Sequence, residues 1–253
     1  MNEGLLVTQP QTPVPTSVSS EADVSSGADV RVKLFARTDV GQVREHNEDN
    51  FIVADLTNES RGLMESDRVQ TVGDHGTLMA VCDGMGGAAA GEVASQLAVD
   101  IIFEKMTEDL GDAPSERNQI ARRLVNAVEA AGLRIFEAAK SDRTRRGMGT
   151  TTTAAALVDD HLFLARVGDS RGYSLRNGAL VQVTRDQSLV NQLIEAGQLT
   201  EEEAETFEHN NIILQALGTA ETVQVDLTYV ELRQGDILML CSDGLSGMVR
   251  NDE

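Results

Sequence analysis

Two short motifs in this chain each place an aspartate at the end of an apolar run. The first, residues 81–87 with the sequence VCDGMGG, delivers Asp83 into a run of glycines. The second, residues 240–245 with the sequence LCSDGL, repeats the pattern with Asp243 late in the chain. Two strands that end in this way can bring both carboxylates to one edge of a sheet, where a hard divalent cation would offset their repulsion. The pattern therefore indicates a metal site built from strand ends.

Glu48, Asp49 and Asp169 extend this acidic pattern. Glu48 and Asp49 precede a predicted strand over residues 51–55, and Asp169 lies in a tight glycine turn. Each feature is weak alone, because Asp-Gly is a common turn pair and an isolated Asp83 most often caps or closes a turn. Strand ends hold polar side chains on a rigid support, so the combination favours one shared site.

The residues around the two motifs argue against other kinds of active site. A phosphate-binding loop of the Walker type needs Lys followed by Ser or Thr, which residues 84–87 lack, whereas glycines let a backbone approach a metal without Cβ clashes. Cys82 and Cys241 lie in apolar strand patterns, so we expect buried packing thiols and no cysteine nucleophile. The four histidines share no motif, which disfavours Ser-His catalysis.

Hydrophobic periodicity defines the elements that must position these residues. Two long helices are predicted over residues 88–110 and 115–140, the second with Ser115 as its N-cap. Residues 56–76 are expected to form a loop or a long hairpin connection. Strands are predicted at 30–36, 51–55, 77–82, 147–158, 161–167, 172–175, 223–229 and 236–241. Two consecutive helices followed by strands favour an α+β layered fold over βαβ alternation.

Two shorter signals complete this outline. Asn177-Gly178 predicts a tight hairpin turn between two strands. Residues 186–215 are the least regular part of the domain, with short helical patterns over 189–195 and 200–205 and a capping box formed by Thr200 and Glu203.

Composition limits the classes of partner and of compartment. The formal charge of −20 disfavours binding to nucleic acid or to an anionic membrane, because the protein's field would repel phosphates. Aromatic residues make up only 3% of the chain and Trp is absent, so packing must rest on Leu, Val, Ile, Ala and Met. With no secretory signal, no long apolar run and only two cysteines, we expect a cytoplasmic protein. Residues 1–29 are expected to be a disordered tail before a single domain over residues 30–253.

Seven ordered motifs, spread over about residues 32–249, resemble those of the metal-dependent type 2C Ser/Thr protein phosphatases, and specifically the bacterial branch. They are RxxNED at 44–49, DGMGG at 83–87, GTT at 149–151, VGDSR at 167–171, DQS at 186–188, ALG at 216–218 and CSDGL at 241–245.

The resemblance implies a four-layer α-β-β-α sandwich with two antiparallel sheets, a flap over about residues 186–215, and two or more Mn²⁺ or Mg²⁺ ions at one end. By motif, Asp83 would bridge two ions, Glu48 and the Gly84 carbonyl would serve one of them, and Asp243 would serve the other. Asp169 resembles the residue that helps to hold a third, weaker ion, although it could simply close its turn.

The same resemblance implies roles in catalysis for two further residues. Asp49 would orient metal-bound water, and Arg44 would bind the substrate phosphate through its guanidinium fork. The implied reaction is hydrolysis of phosphoserine and phosphothreonine by a water activated between two divalent cations. The implied partners are phosphorylated proteins, the substrates of Ser/Thr kinases, and we expect the enzyme to be a monomer.

Several positions depart from the family pattern. Met85 stands where eukaryotic relatives commonly have a His that protonates the leaving alkoxide, so a water would have to supply that proton. Gln187 replaces a His in the usual Asp-His-Ser motif. The chain stops soon after Asp243, before the final Asp-Asn pair of relatives, so we expect an incomplete C-terminal end. If that end is genuine, one metal position would be weakly occupied and an apolar edge would be exposed.

Alternatives remain open from the sequence alone. A catalytically impaired phosphatase-like module could bind phosphoproteins or a regulatory partner without turnover. A plain acidic cation-binding protein would take up metal regardless of Arg44. The one basic cluster, at Arg143, Arg145 and Arg146, is either a solvated surface or a docking site for acidic or phosphorylated substrate.

Overall fold

The computed structural model describes residues 30–62, 68–209 and 211–249, so the predicted tail over residues 1–29 lies outside the described part. A 3₁₀ turn, Arg143–Arg145, follows the second helix. The strands and α-helices of the described residues are β1 Arg31–Leu34, β2 Asp49–Asp55, β3 Ser60–Arg61, β4 Arg68–Thr71, β5 Thr77–Met85, α1 Ala88–Thr107, α2 Arg117–Ser141, β6 Gly149–Thr150, β7 Thr152–Val158, β8 His161–Val167, β9 Arg171–Arg176, β10 Ala179–Gln182, α3 Leu189–Glu195, α4 Glu201–Glu205, β11 Asp226–Glu231, β12 Ile237–Cys241 and α5 Asp243–Ser246.

A large antiparallel sheet forms the centre of the fold. Its strand order is β11-β8-β7-β5-β2-β3, and the short strand β6 pairs with the end of β5. Two smaller antiparallel sheets, β10-β9-β12 and β1-β4, complete the described pairing. The second β layer implied by the resemblance is therefore divided into two sheets.

Successive side chains of the central strands point to opposite faces of the sheet, and this alternation decides what packs on each face. On β7, Ala154 and Ala156 join the cluster that contains the buried residues of α1 and α2. The intervening Ala155 and Leu157 face the other way and pack with residues of β11 and β12. The helices thus cover one face and the smaller sheets cover the other, which confirms an α+β sandwich. As composition requires, this core is aliphatic, with many alanines.

The second layer is apolar on both faces at β12. Leu238 and Leu240 pack inward against the central sheet. Ile237 and Met239 point outward and remain 59% and 37% exposed.

The helices in the described part of the chain lack the length and apolar character of a membrane span.

Predictions for one connection and one strand end were incomplete. Residues 56–76 begin with a hairpin, since β3 pairs with β2, but they also contain β4, which pairs with β1. The sequence signal of β4 was missed because this strand is short and half of its side chains are exposed. β5 continues beyond Cys82 to Met85, since its backbone pairs there with β2 and β6 in spite of the glycine at position 84. Asp83 therefore lies within a paired strand.

The helix α2 and the strand β11 both begin later in the structure than the sequence predicts. Ser115 is not the N-cap of α2, which begins at Arg117 after Glu116; the Ser115 hydroxyl hydrogen-bonds to Nδ1 of His75 at 2.8 Å. β11 begins at Asp226, three residues after the predicted start. The structure confirms α3, the Thr200–Glu203 capping box of α4, and the Asn177-Gly178 turn with positive φ at both residues.

Candidate metal centre

Asp49 and Asp83 face each other at one edge of the central sheet. They are direct partners in the antiparallel pairing of β2 with β5. Directly opposed side chains lie on the same face of a sheet, and like charges in such a pair are destabilising. The sequence therefore places two carboxylates side by side on rigid backbone, which requires a compensating charge or proton.

Asp243 reaches the same edge from the far end of the chain. The hydroxyl of Ser242 donates to Oδ2 of Asp49 at 2.6 Å, which fixes the start of α5 beside β2. Asp243 lies close enough to Asp83 to raise the pKa of the Asp83 carboxyl group. Asp169 also lies within electrostatic range of Asp83. Four of the predicted acidic residues are thus brought together.

The pKa values of two carboxyl groups show how strongly this cluster repels negative charge. Burial, followed by the charges of Asp49 and Asp243, raises the pKa of Asp83 to about 9. Burial, followed by the charges of Asp243 and Asp186, raises the pKa of Asp169 to about 6. Without a cation, Asp83 keeps a proton at neutral pH; a divalent cation would replace that proton and neutralise the cluster.

The donor set fits Mg²⁺ or Mn²⁺. It consists of carboxylate and carbonyl oxygens, which these hard cations prefer. Within the described residues, however, no three His, Cys, Asp or Glu side chains already form a group arranged to hold a metal ion. Mg²⁺ usually keeps several waters and uses only one or two carboxylates, so a convergent cluster without a complete protein cage is compatible with it.

Glu48 and Gly84 border this cluster at the start of α1. The Gly84 N–H donates to the carbonyl oxygen of Glu48 at 3.1 Å. A Cβ atom at Gly84 would lie 2.7 Å from that same oxygen and would also collide with the carbonyl oxygen of Gly91. The carboxylate of Glu48 packs against Gly91, in the first turn of α1. Glycines at 84 and 91 therefore make the space in which Glu48 approaches β5.

Hydroxyl groups hold the backbone of Asp83 in place. The Thr150 hydroxyl and the Thr151 N–H both donate to the carbonyl oxygen of Asp83, at 2.8 and 2.9 Å. The Asp83 N–H in turn donates to the Thr151 hydroxyl at 3.2 Å. Sequence reasoning used the Gly-Thr-Thr run only as a family motif and missed this supporting role. A run of threonines entering a strand beside the acidic strand was the available signal.

Arg44 lies in an exposed loop and is not bonded to the acidic cluster. Its side chain is exposed and makes no hydrogen bond or ion pair with the described residues. Its loop is anchored nearby, because the Asn47 side chain donates to the Thr38 hydroxyl and accepts from the Asp49 N–H. The backbone of Arg44 therefore lies three residues before Asn47, whose side chain is fixed by these two hydrogen bonds.

The cysteines have no features of a nucleophile. Cys82 is fully buried, its sulfur lies 2.7 Å from the Thr152 hydroxyl, and burial raises the pKa of its thiol to about 12. Burial also raises the pKa of the Cys241 thiol. Both are free, as expected of packing thiols.

The basic cluster lies near the acidic edge. It directly precedes Gly147, whose carbonyl oxygen would lie 2.7 Å from a Cβ atom at Gly86. Arg143 and Arg146 are exposed, while Arg145 pairs with Asp142 at 3.5 Å. This position near the acidic edge is compatible both with a solvated surface and with a docking site for acidic or phosphorylated substrate.

Comparison with known proteins identifies the family. The family model described as protein phosphatase 2C matches residues 56–253. The chain belongs to the protein phosphatase 2C family. Its sequence is 38% identical over 217 residues to the serine/threonine phosphatase stp of Listeria monocytogenes, covering 86% of this chain and 79% of that protein.

Solved structures of the protein phosphatase 2C family agree with the fold described above. The serine/threonine phosphatase of S. agalactiae matches with a TM-score of 0.75 and 36% identity, covering 88% of this chain and 83% of that one. The catalytic domain of the phosphatase PstP, in complex with 2 manganese ions, matches with a TM-score of 0.68 and 36% identity over the same shares. These likenesses confirm the bacterial type 2C resemblance that the motifs carry.

Proposed function

We infer that this protein is a metal-dependent phosphatase that hydrolyses phosphoserine and phosphothreonine in phosphoproteins. The carrying observation is the convergence of Asp49, Asp83 and Asp243 at one sheet edge, where burial and the neighbouring charges raise the pKa of Asp83. A cluster of this kind can bind divalent cations, which can activate water for the hydrolysis of phosphate monoesters. The similarity to bacterial serine/threonine phosphatases supplies the substrate class.

The assignment of individual ligands is also a proposal. Asp83 would bridge two cations, Glu48 and the Gly84 carbonyl would complete one position, and Asp243 the other. Asp169 would contribute to a third, weaker position. When bound, the cations neutralise the phosphoryl oxygens and acidify a water between them. The manganese ions in PstP favour Mn²⁺, and Mg²⁺ uses the same oxygen donors.

Two residues of the chain would act on substrate and water. Asp49, held by Ser242, would orient the attacking water from the edge of β2. Arg44 would bind the phosphate, since an exposed guanidinium without a partner among the described residues can match two phosphate oxygens. Met85 has no proton to give, so the leaving alkoxide would take its proton from water.

The physiological setting follows as a further part of the proposal. We place the enzyme in the cytoplasm, supported by two free buried cysteines of the kind found in reducing compartments. Its substrates would be proteins phosphorylated by Ser/Thr kinases, and it would act as a monomer. One catalytic domain over residues 30–253, with a flap over about 186–215, would carry the activity.

Replacement of Asp83 tests this function directly. We expect Asp83→Asn to lower Mn²⁺-dependent hydrolysis of a phosphothreonine peptide by more than about 100-fold, the upper end of what residues supporting a metal ligand contribute. A chelator should abolish the activity of the wild type. Phosphate release and Mn²⁺ binding by calorimetry should be measured on the same samples.

Asp109→Asn provides a matched control. Asp109 is exposed at the end of α1 with φ of 52°, a conformation that Asn adopts readily, and the change removes the same charge. Its activity should equal that of the wild type. Hydrolysis that survives both the chelator and Asp83→Asn would refute the proposal. Phosphopeptide binding without turnover in the wild type would instead favour the catalytically impaired module.

A further inference from the structure

Gln187 fixes the backbone of Gly168, the residue directly before Asp169. The Gly168 N–H donates to Oε1 of Gln187 at 2.9 Å. The Gln187 N–H donates back to the carbonyl oxygen of Gly168 at 2.9 Å. Both polar backbone atoms of Gly168 are therefore bound to one residue. The first bond depends on the side chain of Gln187 and the second on its backbone.

An ion pair between buried Arg166 and exposed Asp226 continues the network. Arg166 is only 2% exposed; its Nη1 donates to the carbonyl oxygen of Gly168 at 2.8 Å, and its Nη2 pairs with Oδ2 of Asp226 at 2.6 Å. Nε2 of Gln187 donates to the same Asp226 oxygen at 3.0 Å. Asp226 thus accepts from both side chains that hold Gly168. A network whose members all have partners is rigid.

The other neighbour of Asp169 is held as firmly. The Ser170 hydroxyl lies 2.7 Å from the hydroxyl of Thr151, and the Ser170 carbonyl oxygen accepts from Thr153 at 2.6 Å. Gly168 has φ of 104°, and a Cβ atom there would lie 2.8 Å from Thr151. Asp169 is therefore presented between two fixed residues, beside the Thr151 that also supports Asp83.

Gln187 also joins the two ends of the flap. Its carbonyl oxygen accepts from the Leu214 N–H at 2.8 Å, and Ser188, the next residue, caps α3 and bridges to Ile213. A single residue therefore links the base of the flap to the turn that carries Asp169. We call the hydrogen bonds of Gln187 to Gly168 the clamp. Among the described residues, the hydrogen bonds of Gln187 do not reach α3 or α4.

We propose that Gln187 is a positioning residue, which holds Asp169 in its working orientation and couples it to the base of the flap. The inference rests on the proposed phosphatase function. Gln187 touches neither phosphate nor the reacting atoms in this scheme. It acts through Gly168, so its loss should weaken only the part of catalysis that depends on Asp169.

Amide exchange in the metal-free protein tests the clamp without reference to activity. In Gln187→Ala, exchange of the Gly168 amide, resolved by NMR, should be about tenfold faster, as expected for the loss of one net hydrogen bond. Gln182→Ala is the matched control, because Gln182 bonds Asp186 and Thr184 nearby but not Gly168. It should leave the Gly168 rate unchanged. An unchanged Gly168 rate in Gln187→Ala would refute the clamp.

A double-mutant cycle tests the role in catalysis. Gln187→Ala should lower the Mn²⁺-dependent rate on a phosphopeptide about tenfold in the wild-type background. In an Asp169→Asn background the same change should lower this rate less than about twofold, since the carboxylate that Gln187 positions is already absent. Gln187→Met, of similar length, replaces Gln187→Ala if the latter fails to fold.

The outcomes separate the two proposals. An equal loss in both backgrounds would show that Gln187 acts on stability alone and would refute positioning, while leaving the phosphatase function intact. A wild type without metal-dependent hydrolysis would refute the phosphatase function and with it the catalytic role of Gln187. The exchange experiment would still decide whether the clamp exists.

Discussion

Ser242 is the residue through which the two halves of the acidic site meet. Its hydroxyl donates to Asp49 at 2.6 Å, although the two residues are 193 positions apart in the chain. Ser242 occupies the N-cap position of α5, yet its side chain makes no capping bond there. The hydroxyl is thus used to orient a carboxylate instead of the helix. A hydrogen bond to an ionised carboxylate is among the stronger kinds in proteins.

We expect Ser242→Ala to lower the rate of phosphopeptide hydrolysis about tenfold, because Asp49 loses the donor that fixes its orientation. Ser246→Ala is the control, since the Ser246 hydroxyl makes a long contact of 3.4 Å with the Ser242 carbonyl oxygen and hydrogen-bonds to no carboxylate among the described residues. The rate should be measured at saturating Mn²⁺ and compared with that of the wild type. A Ser242→Ala enzyme with full activity would show that Asp49 needs no such donor.

At the scale of elements, β5 and the start of α1 form one unit around Gly84. The carbonyl oxygens of Glu48 and Gly91 both occupy the space that a side chain at residue 84 would need. Backbone atoms cannot move aside as a flexible side chain can. β2, β5 and α1 are therefore packed at a distance that only glycine permits.

We expect Gly84→Ala to destabilise the protein by at least about 3 kcal/mol, the upper range of overpacking costs, because its Cβ collides with backbone on two sides. Gly244→Ala is the matched control: the nearest atom to its Cβ would be the Ser242 Oγ at 3.5 Å, an ordinary contact. Urea unfolding at pH 7 should be compared for both variants. Equal midpoints would contradict this account of the β5–α1 junction.

At the scale of the whole molecule, the acidic edge makes stability depend on pH and on metal. In the metal-free protein, Asp83 has a pKa of about 9 when folded and an ordinary value of 3.8 when unfolded. The folded state therefore binds its proton more tightly. The stabilisation is complete below pH 4 and is lost as pH rises toward 9. The raised pKa of Asp169 likewise stabilises the folded state at low pH, and this contribution is lost as pH rises through about 6.

We expect the Tm of the metal-free wild type to fall by about 5 °C more than that of Asp83→Asn between pH 6 and pH 8, because unfolding releases one proton over that range. Mn²⁺ should raise the wild-type Tm more at pH 8 than at pH 6, since displacing the Asp83 proton is less unfavourable at the higher pH. Calorimetric scans with and without Mn²⁺ measure both effects. Asp109→Asn should behave like the wild type; an Asp83→Asn slope equal to the wild-type slope would contradict the raised pKa.

Local patterns determined most of the elements and the composition of the site. The periodicity of α1 and α2, the Asn177-Gly178 turn and the capping box of α4 depend on neighbours within a few positions, so sequence predicted them well. The short strand β4 and the shifted start of β11 were missed. Their pairing with β1 and β8 depends on distant partners, which local periodicity does not reveal.

The sequence by itself determined which residue types converge: acidic residues at strand ends, followed by glycines, in the order of one family. Only the tertiary structure decided how they are held. Asp83 lies opposite Asp49 because of the register of β5 with β2, and Ser242 and Gln187 act on residues far away in the chain. Register and hydrogen bonds across such separations are set by the packing of the whole domain, so no local pattern encodes them.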